Sequence, residues 1–153
     1  MKVFFRIFLP LILLLLNACS FTPVREEGFP AGASEDNSRI RPEANTSKTV
    51  LSLIKQAREA ALKGDLARSE VQLERALRIE PRNAVLWHYM AKLRLNQGNL
   101  TEAAGLAAKS NSLEHNDRLL QSANWRIIAH ARNRTGDLQG AQQAQDRANE
   151  LTD

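Results

Sequence analysis

The stretch AVLWHYMAKLRLNQGNLTEAAGLAAKSNS, residues 84–112, decides the fold. An apolar pattern of helical period runs up to Gly98-Asn99-Leu100 and another runs away from it, which reads as helix, short turn, helix. The same turn recurs as Gly64-Asp65-Leu66 and Gly136-Asp137-Leu138, at intervals of 34 and 38 residues. Leu53, Trp87 and Trp125 keep the same two intervals, as do the small residues Ala57, Ala91 and Ala129, then Ser69, Ala103 and Ala141, then Ala76, Ser110 and Ala148. So many positions in one phase mean a repeated helix pair that cannot bury its own apolar face and must stack on its neighbours. Small residues at fixed places let helices approach closely, and Leu53, Trp87 and Trp125 are expected to fill the wedge between them. Asp65, Asn99 and Asp137 stand where they can cap the second helices, and Asn99 with Glu102 has the spacing of a capping box.

A 34-residue period with a large residue at the fourth place, small ones at the eighth, twentieth and twenty-seventh, Gly at the fifteenth and Pro at the thirty-second resembles the tetratricopeptide repeat. Pro81 closes unit one, residues 50–83; His115 holds that place in unit two, 84–117; unit three is 122–153. The tyrosine usual at the eleventh place is replaced by Ala60, Arg94 and Arg132. The resemblance implies an all-α fold, three helix pairs stacked as a short right-handed solenoid. The last helix, polar around a thin stripe of Leu138, Ala141, Ala144, Ala148 and Leu151, is suited to close the stack. The 38-residue interval inserts Arg118 to Gln121, about one helical turn, so the fifth helix should begin near Asp117, with Leu119 or Leu120 packing beneath the helix before it.

The N-terminus carries a different message. Lys2 and Arg6 precede an apolar run, Ile7 to Leu16, too short to span a bilayer, and this reads as a cleaved export signal. It ends in Leu16-Asn17-Ala18-Cys19, which resembles the lipobox of bacterial lipoproteins and holds the chain's one cysteine. That resemblance implies cleavage of residues 1–18 and acylation of Cys19, with several acyl chains giving firm anchoring. Ser20 in place of Asp resembles the sorting pattern of outer-membrane lipoproteins of Gram-negative bacteria. Residues 19–49, with three prolines, two glycines and runs such as Ala33-Ser34-Glu35-Asp36-Asn37-Ser38, show no apolar period and read as a disordered linker. Thirty such residues reach roughly 100 Å when taut and span about 30 Å when relaxed.

Several classes are set aside by composition. Of 153 residues only eight are aromatic, three of them in the first eight positions, which argues against a strand-rich core. A lone cysteine cannot form a disulfide within the chain, and His88, His115 and His130 share no ligand spacing, so no metal site and no cofactor are expected. No nucleophile elbow, phosphate-cradling glycine loop or paired-carboxylate constellation is present, and the chain does not read as an enzyme. Without residues 1–18 the chain keeps 19 cations against 17 anions, too even a balance to argue for nucleic acid.

By resemblance to tetratricopeptide stacks, the first helix of each pair should line an inner face. Its polar members here are Arg58 in unit one, His88, Lys92 and Asn96 in unit two, and Arg126, His130, Asn133 and Arg134 in unit three. With Leu51, Ile54 and Leu62 this face suits an extended or helical protein segment bearing carboxylates and apolar anchors. Ile54, Tyr89, Ala123 and Ile127 stand where the chaperone-binding carboxylate clamp of this repeat family has polar or basic residues. Lipobox, linker and repeats together resemble outer-membrane tetratricopeptide lipoproteins, among them the Lpo-type activators of class A peptidoglycan synthases. The resemblance implies a periplasm-facing, lipid-anchored partner of such a synthase. Alternatives in the same architecture are a pilotin for type IV pilus secretin assembly and a structural subunit of another envelope complex.

Overall fold

The structure, a computed structural model, describes residues 40–113 and 116–152; the signal segment, Cys19, most of the expected linker and His115 lie outside the described residues. Among the described residues six helices follow one another: α1 (Lys48–Leu62), α2 (Leu66–Ile79), α3 (Ala84–Asn96), α4 (Leu100–Ser112), α5 (Arg118–Arg134) and α6 (Leu138–Glu150). They pack as the pairs α1–α2, α3–α4 and α5–α6, and the pairs join through α2–α3, α3–α5 and α4–α5. The all-α solenoid of helix pairs is thus the fold, and α1, α3 and α5 are the first helices of the pairs, the ones that the repeat resemblance assigns to the inner row.

The turns work as their residue types require. Gly64, Gly98 and Gly136 have φ of 77°, 79° and 87°, the left-handed region that an L side chain rarely adopts. Beyond each glycine a backbone N–H reaches five residues back, Asp65 to the Ala60 carbonyl at 3.0 Å, Asn99 to Arg94 at 2.9 Å and Asp137 to Arg132 at 3.0 Å, closing the preceding helix in a Schellman turn. The Asp65 and Asp137 carboxylates then cap α2 and α6 by accepting the N–H groups of Arg68 and Gly140. Asn99 makes no such side-chain bond, which corrects the expected capping box. The partner that a box requires, Glu102, is bound instead to Arg94 at 2.8 Å, and the Asn99 N–H is already satisfied by its turn.

Two apolar clusters share α3. One gathers Val50, Leu53, Ile54 and Ala57 of α1, Leu73 and Ala76 of α2, the first half of α3, and Leu120 and Ala123 of α5. The other holds Ala91 and Leu95, Ala103 and Ala107 of α4, Ile127, Ile128 and Ala131 of α5, and Ala144 of α6. Leu106 packs against both. Of the expected wedges only Leu53 is fully buried; Trp87 and Trp125 are half-buried, since an indole is too large to vanish between Ala-lined helices, and Trp87 Nε1 donates to the Pro81 carbonyl at 2.8 Å.

The insertion before unit three lengthens α5 to 17 residues; the helix begins beside Asp117, as expected, and the Asp117 side chain caps it. Leu120 is 1% exposed and does the packing, while Leu119 is 42% exposed. Arg118 uses the extra turn to bond the Leu151 and Glu150 carbonyls at 3.0 and 2.9 Å, closing the far end of α6. Leu138, expected in the α6 stripe, is exposed; Ala141, Ala144 and Ala148 carry that packing.

The expectation of a disordered linker up to residue 49 is corrected at its end. Ile40 is 5% exposed within the first cluster, a burial worth about 1.5–3 kcal/mol for an aliphatic side chain. Glu43 accepts from the Ala84 N–H at 2.6 Å, Asn83 donates to Thr46 Oγ1 at 3.0 Å, and the Ser47 N–H donates to Glu80 at 2.8 Å. Residues 40–47 are therefore tied to the turn between α2 and α3, and Ser47 caps α1.

Candidate interaction surface

Of the residues expected on the inner face, Arg58, Asn96, Asn133 and Arg134 are exposed, and Lys92, Arg126 and His130 are half-buried with polar or electrostatic contacts of their own. Arg58 lies 6.0 Å from the ring centroid of Tyr89, a cation–π distance that joins units one and two. Burial, and then Arg134 one turn on, lower the His130 pKa, so its imidazole is neutral at pH 7.

His88 does not belong to this surface. It is 1% exposed, and its Nδ1 lies 2.8 Å from Asn124 Oδ1. Because a carboxamide oxygen only accepts, Nδ1 carries the hydrogen. Asn124, wholly buried, donates through its amide to Ser110 Oγ and to Asn111 Oδ1, both at 2.8 Å, and Ser110 donates to the Ala84 carbonyl at 2.8 Å. This chain of bonds ties α3, α4 and α5 together. His88 Nε2 is buried without a hydrogen-bond partner among the described residues, and burial pulls the pKa of the ring down to about 4, against the raising effect of the Asn124 bond. The reading of His88 as a groove residue is corrected accordingly: an imidazole that stays neutral can be buried at the junction of two units as a directional donor.

A second network escaped sequence reasoning. Arg94, at the place where a tyrosine is usual, pairs with Glu70 of α2 at 2.6 Å and Glu102 of α4 at 2.8 Å, and its remaining Nη1 donates to Gln97 at 2.8 Å. Gln97 in turn donates to Glu70 at 3.0 Å. The Arg94 and then the Gln97 hydrogen bonds hold the Glu70 carboxyl below the usual carboxylate range, and the guanidinium pKa is raised in exchange. An arginine can reach both neighbouring helices where the shorter tyrosine would reach one, and the only signal for it was its departure from the repeat pattern.

Among the described residues no group of three or more His, Cys, Asp or Glu side chains is placed to hold a metal ion, and no helix is long and apolar enough to cross a membrane. The exposed side chains of α1, α3 and α5 offer charge, amide and apolar contacts, which is the equipment for binding a peptide segment.

A model of the tetratricopeptide repeat matches residues 73–104. The solved globular C-terminal domain of LpoP from P. aeruginosa is 34% identical to this chain, with a TM-score of 0.65, over 67% of this chain and 97% of that one. The chain belongs to the tetratricopeptide-repeat family of LpoP. Beyond the LpoP family the fold is shared with the N-terminal domain of stress-induced protein-1 from C. elegans, 16% identical at a TM-score of 0.61 over 67% of this chain and 83% of that one. It is shared also with the second repeat domain of Spaghetti (RPAP3), solved with the HSP90 peptide SRMEEVD, 19% identical at a TM-score of 0.61 over 68% and 93%. No curated protein has a significant sequence match to the chain. At the four positions that set this chain apart from the carboxylate clamp, Ile54, Tyr89, Ala123 and Ile127 are all buried and none carries a positive charge.

Proposed function

We propose that this protein is a lipid-anchored interaction module, held through acylated Cys19 at the outer membrane and facing the periplasm, that docks on a class A peptidoglycan synthase and stimulates it. The observation that carries this reading is the 34% identity to the LpoP domain across 97% of that domain, joined to a lipobox-like Leu16-Asn17-Ala18-Cys19 in the same chain. The inner face supplies the contact: Arg58, Lys92, Arg126 and Arg134 receive carboxylates, Asn96 and Asn133 bond backbone, and Leu51 takes an apolar anchor at the unit-one end. Photo-crosslinkers at Asn96 and Asn133 in the native cell capture the synthase if this is right. Reversing the exposed Arg58 and Arg134 to Glu weakens capture, whereas reversing Lys109 and Arg147 on the outer helices does not. Capture of another envelope protein, such as a secretin, replaces the synthase reading.

A further inference from the structure

The outer face of α2 differs from those of α4 and α6. At 100° per residue, Arg68, Val71, Arg75, Arg78 and Ile79 fall within a sector of roughly 100°, and Arg82 follows in the next turn. All six are exposed, Val71 by 51% and Ile79 by 50%. Among the described residues none of the four arginines is paired with a carboxylate. The acids of α2 do not offset them, because Glu70 is engaged by Arg94 and Glu80 by Ser47 and Asn83. Glu74 and the N-cap Asp65 stay exposed, one at each edge of the stripe, and Asp65 accepts from the Arg68 backbone N–H. At the corresponding places α4 has Glu102, Gly105, Lys109, Ser112 and Leu113, and α6 has Gly140, Gln143, Arg147, Glu150 and Leu151, one cation each and an acid beside it in the set, with Arg147 paired to Glu150.

The chain enters the fold beside this stripe. Residues 40–47 are bonded to Glu80, Asn83 and Ala84, next to Arg78, Ile79 and Arg82. Twenty residues separate Cys19 from Ile40, so the two lie at most roughly 70 Å apart. An acyl group at Cys19 would thus keep the C-terminal end of α2 closer to the bilayer than most of the domain.

We propose that the outer face of α2 is a peripheral membrane contact that lies on an anionic phospholipid surface, its arginines on headgroup phosphates and Val71 and Ile79 at the acyl boundary. Arginine suits this role because its fork bonds phosphate bidentately. The contact leaves α1, α3 and α5 free for a partner. Its orientation rests on the lipid anchor proposed above, but binding by the stripe does not, and the two are tested separately.

The test uses the unacylated chain from Ser20 onward, which keeps every residue of the packed core, in co-sedimentation with vesicles. It should bind vesicles of phosphatidylcholine with phosphatidylglycerol and not phosphatidylcholine alone. Arg75→Gln with Arg78→Gln should weaken binding about 25-fold, from about 1 kcal/mol per cation at such a surface. The charge-matched pair Arg58→Gln with Arg134→Gln should change it less than 3-fold, and Val71→Ser with Ile79→Ser should lower the part that survives high salt. Equal weakening by both arginine pairs, or no binding to the anionic vesicles, overturns the proposal. So does an α2 pair that leaves vesicle binding intact while abolishing capture by the synthase, which makes the stripe a protein contact. Palmitate incorporation into Cys19 is measured on the full chain and reads the anchor alone.

Discussion

Acidification from pH 7 to pH 5 should destabilise the fold by about 2 kcal/mol through His88 alone. The folded ring titrates at about 4 and the unfolded one near 6.5, so in this interval the unfolded chain binds a proton that the folded chain refuses. The depressed value means that the stability is fully present above about pH 6.5 and is lost as pH falls toward 4. The magnitude follows from integrating that difference in bound protons between the two pH values. Lys92 and Asp117 both act on the ring, in opposite senses, and desolvation dominates them. Urea unfolding followed by far-ultraviolet circular dichroism reads the effect as a fall in midpoint of about 0.7–2 M, for a slope of about 1–3 kcal/mol per molar. His88→Gln keeps an amide N–H for Asn124 but does not titrate, so it should be less stable at pH 7 and lose about 2 kcal/mol less than the wild type on going to pH 5. His130 is present in both proteins and cancels in the comparison. Parallel falls in the two midpoints would refute the burial of a neutral, Nε2-orphaned imidazole between units two and three.

Arg94→Ala should cost about 1–2 kcal/mol in the same assay, because it leaves Glu70 and Gln97 without their partner. It should also flatten the loss of stability below about pH 4.5, since Glu70's depressed carboxyl stabilises only while ionised and that contribution goes as pH falls through its folded value. Ala91 is wholly buried, so Ala91→Leu should overpack the α3 contact by about 1–3 kcal/mol; an unchanged melt would refute the assigned repeat phase. Arg118→Ala should cost about 1 kcal/mol and speed hydrogen exchange at the end of α6, whose last carbonyls it bonds. Cys19→Ala should abolish incorporation of labelled palmitate, and continued labelling would remove the anchor.

The helix pairs, the three glycine turns and the start of α5 were legible because backbone conformation demands particular residues at particular spacings, as the φ of 77–87° at Gly64, Gly98 and Gly136 demands glycine. What eluded the sequence were pairings between residues far apart in the chain. His88 and Asn124 are 36 residues apart, and nothing local distinguishes an imidazole that meets a buried carboxamide from one that meets water. Glu102 looked like a capping residue by its distance from Asn99, and Arg94 takes it from outside that window. Segment 40–47 has the composition of a linker, and its order comes from Ile40 and from polar groups on a turn more than thirty residues away. Helical position gave the exposure of Arg58, Asn96, Asn133 and Arg134 and misread that of His88, because it gives a direction but not the depth of the neighbour.

Those bonds from residues 40–47 to the α2–α3 turn also set the path of mechanical load through the molecule. A pull on the chain upstream of Ile40 does not peel α1 from its free end; it enters at Glu80, Asn83 and Ala84, the seam between the first and second helix pairs. Three hydrogen bonds and a buried isoleucine would then rupture together before α1 feels tension. Stretched between its two ends in a single-molecule instrument, the chain should yield first by a short step of about eight residues, and only then by loss of a helix pair.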